Sequence, residues 1–399
     1  MEIGRYLKGQ GIDVSKTQQI EKAKHFFKEP DNFYSLKDFA KPETFDFVYS
    51  KNTLNNTKFY RILIKEWFYA CKVKGKIIIE IIPNSILNFS QMLNEIETLL
   101  VGKIKILERD YDPALKKGFV VIEKTLPSLE KKDSIDKWTF GILTNGKRDE
   151  AAEAEIESIL ALKIPHCEII VCGAFRNKNK RKIKHIDFNP EIAWITKKKN
   201  MICEAAKYEN IVVTHDRFIF DKDWFNGMKK YGNYFDLLSC VIKNPHGNRA
   251  EDWITFGTDL NSKVLTGKHG LLEYRDWDKN GYIDGGLYIL KKSSWKKANW
   301  NNKLSWGEGE DIDLAKEYYN AGVVARFNPF SLCNTSSIKA KQFLFEFNNR
   351  ELGRLIGETF SLKLRQALKR SKFRKHYFAL RNGTKAFKET LRKYPNIKG

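Results

Sequence analysis

NIVVTHDRF, residues 210–218, reads as a strand that carries polar chemistry at its end. Ile211, Val212, Val213 and Thr214 are apolar or β-branched, and His215 and Asp216 follow at once. A short run of this kind, bounded by polar residues, is the pattern of a buried strand in a parallel sheet. In open α/β sheets, ligands gather outside the carboxyl ends of the strands. A carboxylate there can hold Mg²⁺ or Mn²⁺, and the ion can bridge the phosphates of a nucleotide. The plain alternative is an aspartate in a strand-to-loop turn.

Outward from this stretch the same alternation recurs. WTFGILTNG (138–146) is a strand ending in a polar turn, and Ala151–Leu162 is helical. EIIVCG (168–173) is a second strand, and NMICEAAKYE (200–209) is a helix leading into residue 210. Strands alternating with helices predict βαβ units and a parallel sheet. An earlier set precedes them. FDFVYS (45–50), KGKIIIEIIP (74–83), KIKILE (103–108) and GFVVIEK (118–124) read as strands. Helices are expected over Tyr60–Cys71 and near Ser90–Leu100, and the charged stretch LPSLEKKDSIDK (126–137) reads as a linker.

Two further strings carry candidate chemistry. In LSWGEGEDIDLAKEYYNAG (304–322), two glycines precede Glu310 and Asp311, and then a helix begins. Acids at a helix N-terminus are ordinary complements of the dipole, but the Trp-Gly-Glu-Gly lead-in is unusual for a mere cap. In YIDGGLYILKKSSW (282–295), Gly285 and Gly286 are either a simple bend or a place where a ligand approaches the backbone.

Composition limits the alternatives. Hydrophobic residues make up 42%, so the chain is globular and not disordered. The cysteines (71, 167, 172, 203, 240, 333) form no CxxC pair and no zinc spacing, which points to reduced thiols in a reducing compartment. The start of the sequence does not read as a signal peptide. The apolar run at 77–82 is broken by Glu80 and is far short of the ~20 residues of a membrane span. The net charge of +22 suggests an anionic partner. Residues 350–399 hold fifteen Lys/Arg against three acids, so over half of that excess sits in the last eighth of the chain.

Five strings in order, ILTNG (142–146), KKKNM (197–201), VTHD (213–216), DGG (284–286) and WGEGEDID (306–313), resemble family 2-type glycosyltransferases of GT-A fold over about half of the chain. The usual DxD metal motif is here Thr214-His215-Asp216. The resemblance implies inverting transfer of a sugar from a nucleotide-diphosphate donor to a glycan hydroxyl. Asp311 would be the general base, and Glu310 would position it or the acceptor. Asp216 and His215 would hold Mn²⁺ or Mg²⁺. Thr144, Asn145, Arg148, Lys199, Asn200, His215, Gly285 and Gly286 would contact the donor, although a run of lysines such as 197–199 is more often a solvated turn. Trp306 and Glu308 would face the acceptor. Trp253 and Trp277 are candidates either for stacking on sugar or for the core.

YLKGQGIDVS (6–15), FDFVYSKNTLNN (45–56) and WFYACKVKGKIIIEIIPN (67–84) resemble the first, fourth and fifth strands of a class I SAM-dependent methyltransferase. Val14-Ser15-Lys16 stands where that family has a glycine-rich loop, so SAM is not expected. The expected fold class is α/β: two Rossmann-like domains plus a basic helical C-terminal extension. A methyltransferase-like domain at 1–126 would be followed by a linker at 127–137, a GT-A domain at 138–340 and the extension at 341–399. The mixed basic and apolar residues of 361–394 suit an anionic membrane surface, where a lipid-linked acceptor would be found, with a bound polyanion or a solvated helix packed on the transferase domain as the alternatives. The expectation is therefore a cytoplasmic enzyme of surface polysaccharide or glycoconjugate synthesis, peripheral at the inner face of the membrane. Nucleic acid is not an expected partner, because no recognition motif accompanies the charge.

Overall fold

The computed structural model describes residues 3–27, 41–130, 132–177, 179, 181–190, 194–255, 270–304 and 309–336. The expected acceptor residues Trp306 and Glu308 and the basic region 341–399 lie outside them. The fold is mixed α/β, with two large sheets.

The first sheet is built from β1 (Gly11–Asp13), β2 (Lys24–His25), β3 (Phe45–Lys51), β4 (Cys71–Ile81), β5 (Ile104–Asp112) and β6 (Lys117–Lys124), with helices α1 (Tyr60–Ala70) and α2 (Phe89–Leu99). Its order is β2-β1-β3-β4-β6-β5. The first four strands run parallel, and β6 is antiparallel to both neighbours. Period-2 alternation divides the apolar residues between the faces. Phe47, Tyr49 and Ile78 pack on one side, while Val48, Ile77 and Ile79 join the helices on the other, and an irregularity in the ladder between Phe45 and Phe47 turns Phe45 to the helix side as well. The strand expected over 6–15 shrinks to three residues. Asp13 explains the stop: its buried carboxylate accepts from the backbone N–H groups of Ser15, Gln19 and Ile20 and curls the following loop onto itself. Thr53 Oγ1 donates to Val14 O (2.9 Å), and Lys51 N donates to Ser15 Oγ (2.9 Å), pinning that loop across the carboxyl ends of β1 and β3.

The second sheet follows. Its elements are β7 (Lys137–Leu143), α3 (Asp149–Ala161), β8 (His166–Cys172), β9 (Lys184–Ile186), α4 (Ile195–Ala205), β10 (Asn210–His215), β11 (Phe218–Phe220), α5 (Trp224–Tyr231) and β12 (Leu237–Lys243). A small sheet of β13 (Ile254–Thr255), β14 (Gly270–Leu271) and β15 (Gly281–Tyr282) interrupts it. Then come β16 (Leu287–Lys291), α6 (Lys292–Lys297), α7 (Glu310–Asn320) and β17 (Ala325–Thr335). The strand order is β11-β17-β12-β16-β10-β7-β8-β9. β10, β7, β8 and β9 run parallel, and β16 is antiparallel to β10.

The two halves share one continuous apolar core. Arg61 of α1 pairs with Glu95 of α2 (2.6 Å), lies 3.6 Å over the Tyr319 ring of α7, and donates to Tyr319 O (2.8 Å). Glu66 of α1 and Arg326 of β17 form a buried ion pair. Gly322 turns at φ +69°, and a Cβ there would stand 2.3 Å from Thr98 O. The residues read as a linker are stitched to both sides: Lys124 donates to Ser128 Oγ (2.6 Å), and Asp133 pairs with Lys291 (2.7 Å). Among the described residues no helix is long and apolar enough to cross a membrane.

Candidate active site

The β-ladder register gathers the predicted residues. His215 stands beside Leu143 on the β7 side, and Thr214 stands opposite Leu287 on the β16 side. One step further, Thr144 meets Asp216 and Gly286 meets His215. The hydrogen bonds agree: Thr144 Oγ1 donates to Asp216 Oδ2 (2.7 Å), and His215 N donates to Gly286 O (3.1 Å). Strand ends from three separate segments therefore form one polar edge. Gly146, at φ +75°, makes the turn after β7, where a Cβ would sit 2.7 Å from Ala174 O.

α4 delivers cations to this edge. The run Lys197–Lys199 is not a solvated turn: it lies inside the helix, with Lys198 and Lys199 buried. Lys198 Nζ donates to Thr144 O (2.8 Å). Lys199 Nζ sits 3.9 Å from Glu310 Oε1 and about 5 Å from the ring centroids of Tyr288 and Trp300. Asn200 turns away from the edge. Its amide donates to Trp300 O (2.7 Å) and Asn302 Oδ1 (2.9 Å), and its carbonyl accepts from Trp295 Nε1 (3.0 Å). It clips the segment before α7 in place and does not face a donor.

The two glycines of DGG are close to the charged groups. A Cβ on Gly285 would lie 3.0 Å from Glu310 Oε1 and 3.5 Å from Lys199 Nζ. One on Gly286 would lie 2.6 Å from Arg217 Nη2. Arg217 is also 3.8 Å from Asp284 Oδ2. Glu310 and Asp311 begin α7 behind Gly309, which is left-handed at φ +74°. Arg148 and Asn145 are exposed beside this edge, and burial raises the Asp216 carboxyl above its usual range against the opposing pull of Thr144, Arg148, Arg217 and Lys198. Trp253 and Trp277 belong to the core, their indole N–H groups donating to Asp276 O (3.0 Å) and Ala325 O (3.2 Å).

Burial and mutual repulsion tune the acids. Burial first, then Glu310 and Asp284, push the Asp311 carboxyl up to about 8, against the opposing pull of Lys199. Burial, Asp284 and Asp311 push Glu251 up to about 9, with Arg217 opposing. Sequence reasoning misses Glu251: nothing near EDWIT (251–255) marks it, and only the tertiary fold brings it beside Asp284 and Asp311. Lys198 is hidden in a lysine run, and Arg217 simply follows the metal motif. Burial holds the His215 imidazole well below its usual range, helped by Lys199 and Arg217. It is therefore neutral, with a buried Nε2 that has no hydrogen-bond partner among the described residues.

These properties fit a divalent ion in part. Neutral His215 and the carboxyl group of Asp216 offer two adjacent donors. Among the described residues, no group of three or more His, Cys, Asp or Glu side chains has metal-holding geometry. Mg²⁺-type sites completed by substrate phosphates and water need no more than one or two protein donors.

No protein-family model matches the chain, and no curated protein matches it in sequence. Among solved structures it is similar to S. aureus TarS 1–349, with TM-score 0.35 and 14% identity over 50% of this chain and 60% of that one. The same TarS fragment in complex with UDP-GlcNAc gives 0.35 and 12% over 52% and 61%. GalNAc-T7 with UDP, GalNAc and Mn²⁺ gives 0.36 and 9% over 50% and 43%. The chain thus spans less than two thirds of each.

Proposed function

We propose that the chain is a glycosyltransferase of GT-A type, moving a sugar from a nucleotide-diphosphate donor to a glycan hydroxyl with inversion. The observation that carries the reading is the shared edge at which Thr144–Asp216, His215–Gly286 and the Glu310–Asp311 helix start come together. Asp311 takes the proton of the acceptor hydroxyl, and Glu310 and Lys199 hold it in place. Lys198, Arg148 and Arg217 supply positive charge for the departing diphosphate. Asp216 and His215 would hold a divalent ion, which when bound neutralises charge on the diphosphate. Surface polysaccharide or glycoconjugate synthesis, with residues 361–394 on an anionic membrane, completes the proposal.

In the first sheet, the strand read as the first pairs with the one read as the fourth, and that pairs with the fifth. Doubly wound sheets of many functions have this adjacency, so it does not single out a methyltransferase. Asp13 is committed to its own loop, so we assign the domain no SAM.

Calorimetric titration tests the donor assignment. One of UDP, GDP, CDP or dTDP should bind in the micromolar range with Mn²⁺ present. Mn²⁺ alone should bind at least tenfold more weakly than with that nucleotide, because the protein offers two donors in a field of three cations. Failure of all four nucleotides with Mn²⁺ would sink the reading.

A pH profile follows from the raised acids. A general base must be ionised, so kcat/KM should rise about tenfold per pH unit up to a limb near the upper-neutral range, where the Asp311 carboxyl, raised by burial and by Glu310 and Asp284, titrates. A flat profile from about pH 5.5 to 9 would remove Asp311 from the base role.

A further inference from the structure

One face of α3 turns inward, and its buried residues are Ala152, Glu155, Ile156 and Ile159. Helical spacing calls for an apolar side chain at each of these core-facing positions. Glu155 is the exception, with none of its surface exposed. Its Oε1 accepts from Thr214 Oγ1, and its Oε2 is buried without a hydrogen-bond partner among the described residues. No salt bridge holds it there either. Burial raises the carboxyl well above its usual range, so it is an uncharged acid at neutral pH. A polar group buried and half satisfied costs stability against an apolar side chain of its size. Thr214 does not need it as an acceptor, because Thr214 Oγ1 also lies 3.3 Å from Gly141 O.

The position of Glu155 gives it a use that stability does not. Thr214 lies on the Val212 face of β10, which shares a core with Ala152, Ile156 and Ile159 of α3. Three residues further along the helix, Ser158 Oγ accepts from Phe220 N (3.1 Å) and donates to Glu155 O (2.8 Å). α3 therefore grips the chain at Thr214 and again at Phe220, on either side of His215, Asp216 and Arg217. The helix itself begins directly after Arg148, beyond the turn whose Thr144 donates to Asp216. One rigid element thus braces both strand ends of the candidate edge.

We propose that Glu155 is a positioning residue of the donor edge: by holding Thr214 it fixes the Asp216–Arg217 turn in the shape that takes a nucleoside diphosphate and its divalent ion. The proposal rests on the transferase reading. Glu155 touches neither donor nor ion in it and acts through β10.

Glu155→Met and Glu155→Gln in the full chain test this by thermal unfolding, by amide hydrogen exchange of peptides covering residues 211–220, and by calorimetric titration of UDP, GDP, CDP and dTDP with Mn²⁺. Glu155→Met should melt no lower than wild type, since a buried polar group is gone. Exchange in the turn should nevertheless be about tenfold faster, and the nucleotide that wild type binds should bind about tenfold more weakly. Stability and affinity that part in this way separate positioning from damage. Glu155→Gln keeps an oxygen for Thr214 and should hold both readings within about threefold of wild type. Thr214→Val breaks the same bond from the other side and should reproduce the faster exchange and the weaker binding. Exchange and affinity unchanged in Glu155→Met and in Thr214→Val, or lost as fully in Glu155→Gln as in Glu155→Met, would overturn the proposal. Binding of no nucleotide by wild type would instead overturn the transferase reading, and the exchange arm then decides by itself whether Glu155 holds the turn.

Discussion

Asp311→Asn should lower kcat by about 10³-fold while leaving the donor KM within about threefold. The amide keeps the shape of the side chain and can still accept the Ile312 N–H (2.9 Å) that steadies it. What it loses is the capacity to take a proton. The diphosphate contacts assigned to Lys198, Arg148 and Arg217 are untouched, so donor binding should survive. Stability separates this from simple damage. The folded carboxyl is raised above its unfolded value, so its contribution is present at low pH and is lost as pH climbs through about 8. The amide escapes that loss, which accrues from about pH 4 to about pH 8, so Asp311→Asn should melt about 2–4 °C above wild type near pH 9, the difference shrinking steadily as pH falls and vanishing only below about pH 4. A kcat within about threefold of wild type would show that Asp311 is not the base.

Glu66→Ala should destabilise the chain by about 3–5 kcal/mol, measured by equilibrium denaturation. Glu66 and Arg326 are both buried, and the partnership raises the Arg326 guanidinium above its usual range. Truncating the acid leaves a cation inside the protein near Tyr231 and Tyr234 without the carboxylate of Glu66 beside it. Replacing both residues by methionine should cost far less, because no charge remains buried. The pair joins α1 of the first sheet to β17 of the second, so the single variant should also loosen the junction. A loss under about 1 kcal/mol would mean that the two halves do not depend on this contact.

Much of the architecture is legible from hydrophobic pattern alone. FDFVYS, KGKIIIEIIP, GFVVIEK, WTFGIL and NIVVTH are strands because short apolar runs between polar turns have few other uses. The helices near 60–71 and 90–100 follow from helical periodicity, with Asn88 and Gln91 forming a capping box at the second. Register is less legible, since it depends on which strand β16 joins after a long excursion. Yet the candidate edge is a product of register: Thr144, Asp216 and Gly286 converge only because β7, β10 and β16 are neighbours. The lysine run shows the limit most clearly. Lys197–Lys199 looks solvated by composition, but a helix packed against a sheet edge hides two of the three and aims them at carboxylates and rings. Asn200 is the opposite case: it looks like a donor contact, but its partners at 295–302 lie about a hundred residues away and hold it in a structural clip. Glu251 carries no local signal at all.

The most direct measurement is release of nucleoside diphosphate from UDP-, GDP-, CDP- and dTDP-sugars by wild type, Asp216→Ala and Asp311→Asn, with Mn²⁺ or EDTA. Release from one donor, lost in Asp216→Ala while both variants stay folded, is the result predicted for a transferase whose donor lies at the β7–β10–β16 edge. Equal release by wild type and Asp216→Ala, or binding of none of the donors by wild type, would contradict it.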